Sequence, residues 1–557
     1  MPDKIVITSN RTTAVSVTGN DTELVVNAGV RVTTASTGLI ATGTATGRSF
    51  YINGEIASGS GYAVRFGASE AADSDSLFVV GKTGRIQGAS GGMEIRSGGL
   101  ELVNHGTIEA GRTTLDITGA ATRVTNNGLL ASTAGTAIKA AGKGEILINN
   151  GTLSAVADAL VLSGASASLT NNGEAVSTKA HAVVSSGSAA VLTNHGTLKS
   201  QSDTIVSSGK SATVTTDGLV SSAKGSAILA TGMRAVVTNN DGTVKATADA
   251  IVLAGDSGKV TNNGLIRSSA YGISVDADKA IITNNKTIRA AGGVEVDGSG
   301  STLGNYGTIT ATKAKIAAID FSGASAASFH NYGLLQSTGT AFLGGSGVQS
   351  VFNSGTIKGS VHLGAGNDYF DGTGGNVTGS VHGGRGNDVY IVSDASTKIV
   401  ERAKEGTDLV KSSVSLALGA NIENLTLTGP ANVNATGNGL ANQLHGNAGR
   451  NVIKGGAGDD TLWGHRGNDT LTGGKGADHF VFAKGDGRDT ITDFTAGGAS
   501  HDVLDLTALG SITSYSDLTR NHMKQVGDDV HIDGRNGDTI LLQDVRIAHL
   551  DKGDFLF

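Results

Sequence analysis

The chain has 557 residues, 84 of them glycine and none cysteine, with 38% hydrophobic but only 4% aromatic content. That composition is too apolar for a disordered chain and too poor in aromatics for the large cores of ordinary globular domains, and it excludes disulfides and thiolate metal sites. The net charge of −7 is uneven: residues 361–557 hold 25 Asp and Glu against 16 Lys and Arg, a net of −9, whereas residues 1–360 hold 24 against 26, a net of +2.

A nucleic-acid partner needs a basic footprint, which is missing, and the acidic C-terminal part has a divalent cation as its natural counter-charge. The opening MPDKIVITSN lacks the basic patch and apolar run expected of a cleavable signal peptide. No apolar stretch approaches the length of a membrane span.

Residues 1–53 are expected to form N-terminal strands and the cap of a solenoid, followed over 54–360 by a ladder of repeats. The phrase T-N-N-G recurs at Thr125, Thr170 and Thr261, with looser copies such as Asn104-His105-Gly106 and Asn305-Tyr306-Gly307. Its glycine position falls at 54, 84, 106, 128, 151, 173, 196, 218, 242, 264, 286 (Lys here), 307, 333 and 355. A period near 22, built from short Val-, Ile- and Thr-rich segments with glycine turns, predicts a parallel β-helix with three strands per coil. Each coil adds about 4.8 Å.

Asn precedes that glycine by two residues at 104, 126, 149, 171, 194, 240, 262, 284, 305, 331 and 353, with Thr216 as the interruption. The reading is a stack of inward amides bonded from rung to rung, with the glycine supplying a positive φ and the residue between pointing outward. Asp158, Asp203 and Asp249 lie seven residues after the turn glycine, and Lys179 and Lys224 six after it on the rungs between. This alternation predicts a solvated ion ladder, or else a sugar-binding stripe. The segment resembles the β-helical passenger regions of autotransporter and haemagglutinin-like adhesins, which use N-x-G-T-I rungs; no segment resembles the autotransporter's membrane barrel.

Residues 361–395 bring the first glycine-rich turns, ending in Asp368 and Asp388, and 396–436 read as a strand-rich spacer. Over 437–494 a further repeat unit is expected, and from Gly437 to Val481 the chain moves in steps of nine with the consensus G-G-x-G-x-D-x-φ-x, where φ is apolar. The glycines concerned include Gly455, Gly456, Gly458, Gly464, Gly467, Gly473, Gly474 and Gly476. Position six carries Asp460, Asp469 and Asp478, with Asn442 and Asn451 in the first two rows; position eight carries Leu444, Ile453, Leu462, Leu471 and Phe480.

Calcium takes six to eight hard oxygen ligands, more than one turn can supply. If a short strand follows each turn, same-edge turns are 18 residues apart. That spacing pairs Asp460 with Asp478, Asn451 with Asp469 and, more weakly, Asn442 with Asp460. The nonapeptides resemble the RTX family's calcium-binding β-roll. The stretch from Asp489 through Asp493 to Asp502 and Asp505 resembles the cap that closes RTX β-rolls, which implies a last site at its aspartates. The expected fold is therefore all-β: a parallel β-helix solenoid followed by a calcium-binding parallel β-roll.

The RTX resemblance implies Ca2+ as the ion and residues 495–557 as a cap. The ending Asp551-Lys552-Gly553-Asp554-Phe555-Leu556-Phe557 resembles the uncleaved signal of type I secretion, with that machinery as a partner. It also implies a secreted, extracellular or cell-surface chain that folds when calcium is met. Cell-surface polysaccharide or like subunits are the further expected partners.

Enzyme signatures are sparse. There is no HExxH, phosphate loop or nucleophile elbow, and no Gly-His-Gly phrase of the polygalacturonase kind. Adjacent-rung carboxylates could pair in the solenoid, for example Glu295 or Asp297 with Asp276 or Asp278, but no tight cluster of Asp, Glu, Arg and His stands out there. The expectation is a structural or adhesive element, with a polysaccharide lyase, hydrolase or epimerase as the alternative.

Overall fold

The computed structural model describes residues 3–42, 45–67, 75–498 and 500–557. Nearly all of its regular structure is β, and no helix is long and apolar enough to cross a membrane. The chain divides into two compact units, Met1–Asp320 and Phe321–Phe557.

In the first unit each rung consists of three short strands. Arg123–Asn126, Leu129–Ser132 and Ile138–Ala140 pair in parallel with Ile146–Asn149, Thr152–Ala155 and Leu160–Leu162 of the next rung. Side chains alternate across each strand, so Val124, Leu130 and Ile138 point inward and are buried. One or two small aliphatic residues per strand fill so narrow an interior, which accounts for the low aromatic content. The same parallel pairing begins at Lys4–Ile7 against Glu23–Val26.

The inward amide stack is present. Asn104 donates to Asn126 at 2.7 Å, Asn126 to Asn149 at 2.8 Å, Asn149 to Asn171 at 2.7 Å and Asn171 to Asn194 at 2.7 Å. The member on the next Asn-bearing rung is Asn239, fully buried and donating to Asn262 at 2.8 Å, not the expected Asn240. An extra turn residue, Asp241 with φ 60°, displaces the glycine by one position. Asn240 instead joins an outer column that runs in the opposite direction: Asn263 donates to Asn240 at 2.9 Å, and Asn150 to Asn127 at 2.8 Å.

The turn glycines Gly106, Gly128, Gly151 and Gly173 do not have a positive φ, contrary to the expectation. Stacking distance demands glycine there: a β-carbon at Gly128 would collide with the carbonyl oxygen of Gly106, and one at Gly151 with that of Gly128. At one rung Lys286 takes this place and pairs with Asp241.

The expected ion ladder of Asp158, Asp203 and Asp249 with Lys179 and Lys224 does not form. These aspartates accept backbone N–H groups of the next rung, from His181 at 3.1 Å, Ser226 at 2.7 Å and Tyr271 at 2.8 Å. Bonding a fixed amide satisfies a carboxylate at little cost in side-chain freedom. A charge-alternating column lies near the N-terminus, where Arg31, Glu55 and Arg85 are in register and Glu109, opposite Gln87, lies diagonally across from Arg85. Arg31 meets Glu55 at 2.7 Å and Arg85 meets Glu109 at 2.6 Å.

The second unit opens with longer strands, Ala326–Asn331, Leu334–Leu343, Val348–Asn353 and Thr356–Ala365. Farther on it becomes two opposed parallel sheets. One contains Asn424–Leu427, Gln443–His445, Thr461–Trp463, His479–Ala483 and Val503–Ala508. The other contains Leu416–Ala417, Ala435–Thr436, Val452–Ala457, Thr470–Lys475 and Arg488–Ile491. Between them Leu444, Ile453, Leu462, Leu471 and Phe480 are fully buried, as position eight of the nonapeptide requires.

At the far end Asp538–Leu542 pairs with Arg488–Ile491 and then turns antiparallel through Asp529–Arg535 and Met523–Val526, which covers a sheet edge. The final Phe555–Leu556 forms a strand against Val503–Ala508.

Candidate metal centre

Two kinds of glycine build the nonapeptide turns. Gly456 and Gly458 have φ near 117° and 115°, a region closed to most side chains. Gly455, Gly464 and Gly473 are needed for room: a β-carbon at any of them would meet the Oδ2 of Asp460, Asp469 or Asp478 respectively. The remaining predicted glycines, Gly467, Gly474 and Gly476, also have positive φ, and His465 takes the second-glycine place with φ 61°.

The aspartates form ladders along the sheet edges. Asp478 Oδ1 accepts from the backbone of Asp460 at 2.9 Å, and Asp460 Oδ1 from that of Asn442 at 2.7 Å. On the other edge Asp469 Oδ1 accepts from Asn451 at 2.7 Å, and Asp489 Oδ1 from Asp469 at 2.8 Å. The same contact links Asp368 to Asp388 at 2.7 Å. Thus the structure brings together each same-edge pair inferred from the spacing.

Each carboxylate has a second oxygen. Oδ2 of Asp368, Asp388, Asp460, Asp469 and Asp478 is buried and has no hydrogen-bond partner. A buried charged oxygen left in this way is costly, so a cation fits these residues. Burial lifts Asp469 and Asp388 to about 7, Asp489 to about 8, and Asp460 and Asp368 to about 6; hydrogen bonds from neighbouring amides oppose the shift.

The asparagines behave differently. Asn451 donates to Val433 O at 2.6 Å and to Asn447 Oδ1 at 3.0 Å, while its own oxygen accepts from Asn447 N at 2.9 Å. Asn442 donates to the carbonyls of Ile422 and Glu423. At these two rows hydrogen bonds do what the aspartate rows leave undone.

The ladders take in further acidic residues on either side of the nonapeptide rows. Asp408 accepts from Asp388 N at 2.9 Å, Glu423 from Asp408 N at 2.8 Å, and Asp502 from Asp478 N at 2.9 Å. Asp493 accepts from the amides of Gly473 and Gly474 at 3.0 and 2.9 Å. Asp408 had a signal: Gly406-Thr407-Asp408 repeats the Gly-x-Asp turn 20 residues after Asp388. Glu423 had none, since it lies only 15 residues after Asp408; Asp493 and Asp502 are among the aspartates expected after Asp489.

A β-solenoid whose C-terminal turns stack glycine loops and unpartnered carboxylates defines a calcium-binding β-roll protein. The family of RTX calcium-binding nonapeptide repeats, in four copies, matches residues 360–378, 436–471, 445–480 and 455–491. These residues are RTX calcium-binding repeats. No curated protein matches the chain. Among solved structures, the extracellular lipase LipA from Serratia marcescens is similar at 20% identity and a TM-score of 0.15, over 38% of this chain and 40% of that one. The chain therefore spans less than half of the lipase's length.

Proposed function

We propose that the chain is a secreted protein whose solenoid serves as a structural or adhesive element of a cell surface or extracellular matrix, and whose C-terminal unit folds on extracellular calcium. The observation that carries this reading is the run of buried Oδ2 atoms without partners from Asp368 to Asp478. Where calcium is scarce these carboxylates oppose folding, which suits export as an extended chain by the type I machinery. Where calcium is abundant the ion supplies the missing partner, and metal binding becomes folding energy. Extracellular modules bind calcium at about 10⁻⁴–10⁻³ M.

The solenoid's regular exposed amides, such as Asn127, Asn150 and Asn172 at successive rungs, support a repetitive contact surface for polysaccharide or for like subunits. Circular dichroism of the full chain, with calcium and with chelator, tests the reading. A spectrum indifferent to calcium would sink it.

A second reading, a polysaccharide lyase, hydrolase or epimerase, is favoured by one arrangement. Glu295 is in register with Asp320 on the adjacent rung, and Tyr271 donates to Asp320 at 3.0 Å. Burial, then Asp297, lifts Glu295 to about 7, suited to a proton donor. A similar trio elsewhere, Tyr62, Glu94 and Asp116, has its glutamate held by Arg65 at 3.0 Å and Arg96 at 2.7 Å. Incubation with alginate, pectin and exopolysaccharides, reading reducing ends and unsaturated sugars, decides: cleavage lost in Glu295→Gln supports catalysis, and silence of the wild type retires it.

A further inference from the structure

The family match pauses between residues 378 and 436, yet the densest carboxylate cluster lies in that interval. Asp388, Glu401 and Asp408 each bring a carboxylate oxygen within 4.8 Å of the others. They are 1%, 5% and 1% exposed. Three strands deliver them. Asp388 precedes Val389–Val392, Glu401 follows Lys398–Val400, and Asp408 precedes Leu409–Ser412, which pairs with Val389–Val392.

The hydrogen bonds orient the cluster and leave it incomplete. Asp388 Oδ1 accepts from Asp368 N at 2.7 Å, and Asp408 Oδ1 from Asp388 N at 2.9 Å. Glu401 accepts the Tyr390 hydroxyl and, at 3.3 Å, the Gly384 amide. Asp388 Oδ2, on a side chain almost wholly buried, has no partner. It points into the space over Gly383, where a β-carbon would run into Asp388 Oδ2, Glu401 Oε1 and the Tyr390 oxygen together.

Charge compensation is missing from the protein itself. Among the described residues no lysine or arginine forms an ion pair with these three carboxylates; Arg402 turns out to solvent, 3.9 Å from Glu405. Three buried carboxylates this close repel strongly. A cavity of about 250 Å³ lies alongside, lined by Gly383, Gly384, Val400 and Glu405 among others.

We propose that Asp388, Glu401 and Asp408 form an additional calcium site, joining the first glycine turns to the spacer. Glu401 is its distinctive member, a carboxylate just past the end of a strand that reaches into an edge turn, and Tyr390 positions it. Only hard oxygens converge there, which selects calcium over thiophilic or imidazole-seeking metals. The proposal rests on the calcium-binding reading of the RTX unit and adds Glu401 and Asp408 to it.

Native mass spectrometry of the full chain in calcium tests the site by counting ions in the wild type, Glu401→Gln, Asp478→Asn and the double variant. Glu401→Gln is expected to lose one ion, and the double variant one more than Asp478→Asn alone. An unchanged count in Glu401→Gln overturns the site while leaving the RTX reading intact; a wild type without bound calcium overturns both. A second variant, Tyr390→Phe, keeps all three carboxylates. With terbium in place of calcium it is expected to retain the ion count but lose part of the tyrosine-sensitised emission. Unchanged emission also overturns the site.

Discussion

The backbone amide of Asp460 donates to Asp478 Oδ1 at 2.9 Å, one turn farther along the same edge, while Asp478 Oδ2 has no partner. One oxygen of the carboxylate thus holds the register of the turns, and the other is buried with its hydrogen-bonding capacity unused.

Replacing Asp478 with Asn separates these roles. The amide oxygen can keep the bond to Asp460, and the charge at Oδ2 disappears. In chelator the variant is expected to be more stable than wild type by about 1–3 kcal/mol, the cost of a buried unsatisfied group; in calcium it is expected to be less stable and to bind more weakly. Denaturant melts in both conditions, with a calcium titration, check this. Equal calcium affinity in the two proteins contradicts the assignment.

Acidity should act in opposite directions with and without calcium. Burial raises the folded-state values of Asp469 to about 7 and Asp489 to about 8, above the unfolded value near 4. Groups raised in this way stabilise the calcium-free fold fully below about pH 4, and lose that contribution as pH rises through 7 to 8. Chelator-treated protein is therefore expected to melt higher at pH 5 than at pH 8. Because protons and calcium compete for the same oxygens, calcium affinity is expected to fall on acidification from pH 8 to 5. Calcium-free melting that rises with pH would count against buried carboxylates.

The amide stack is interrupted at Thr216. Asn194 donates to Thr216 Oγ1 at 3.0 Å, but the hydroxyl turns to Asn194 O, and Asn239 Oδ1 is left buried without a partner. Thr216→Asn extends the stack and is expected to add about 1–3 kcal/mol, read as a rise in the melting temperature. A destabilised variant would show that the interior there is too narrow for an amide.

Gly151 lies against the carbonyl of Gly128 with no room for a methyl group. Gly151→Ala is expected to cost about 1–3 kcal/mol through overpacking, measured by thermal melting. A neutral result would mean that neighbouring rungs separate freely.

How far such features can be read without coordinates depends on their period. The Asn-x-Gly rungs and the nine-residue rows repeat in register, so their strands, their inward faces and the pairing of Asp460 with Asp478 follow from spacing alone. An insertion breaks that logic, as Asp241 does when it hands the inward place to Asn239. The glycine turns were also assigned the wrong cause, because crowding between rungs involves residues 22 or 23 positions apart and leaves no local trace.

The solenoid and its switch to a β-roll are legible in the chain's own residues, since both follow from short repeats whose side chains must face the same way in every turn, and the resemblance of the nonapeptides to RTX repeats names calcium as the ion. Tertiary structure alone decided which oxygens lack partners, that Asn442 and Asn451 satisfy themselves, and that Glu401 reaches Asp388 and Asp408. Those outcomes depend on hydrogen bonds and burial between rungs of irregular length, where position in the chain no longer predicts position in space.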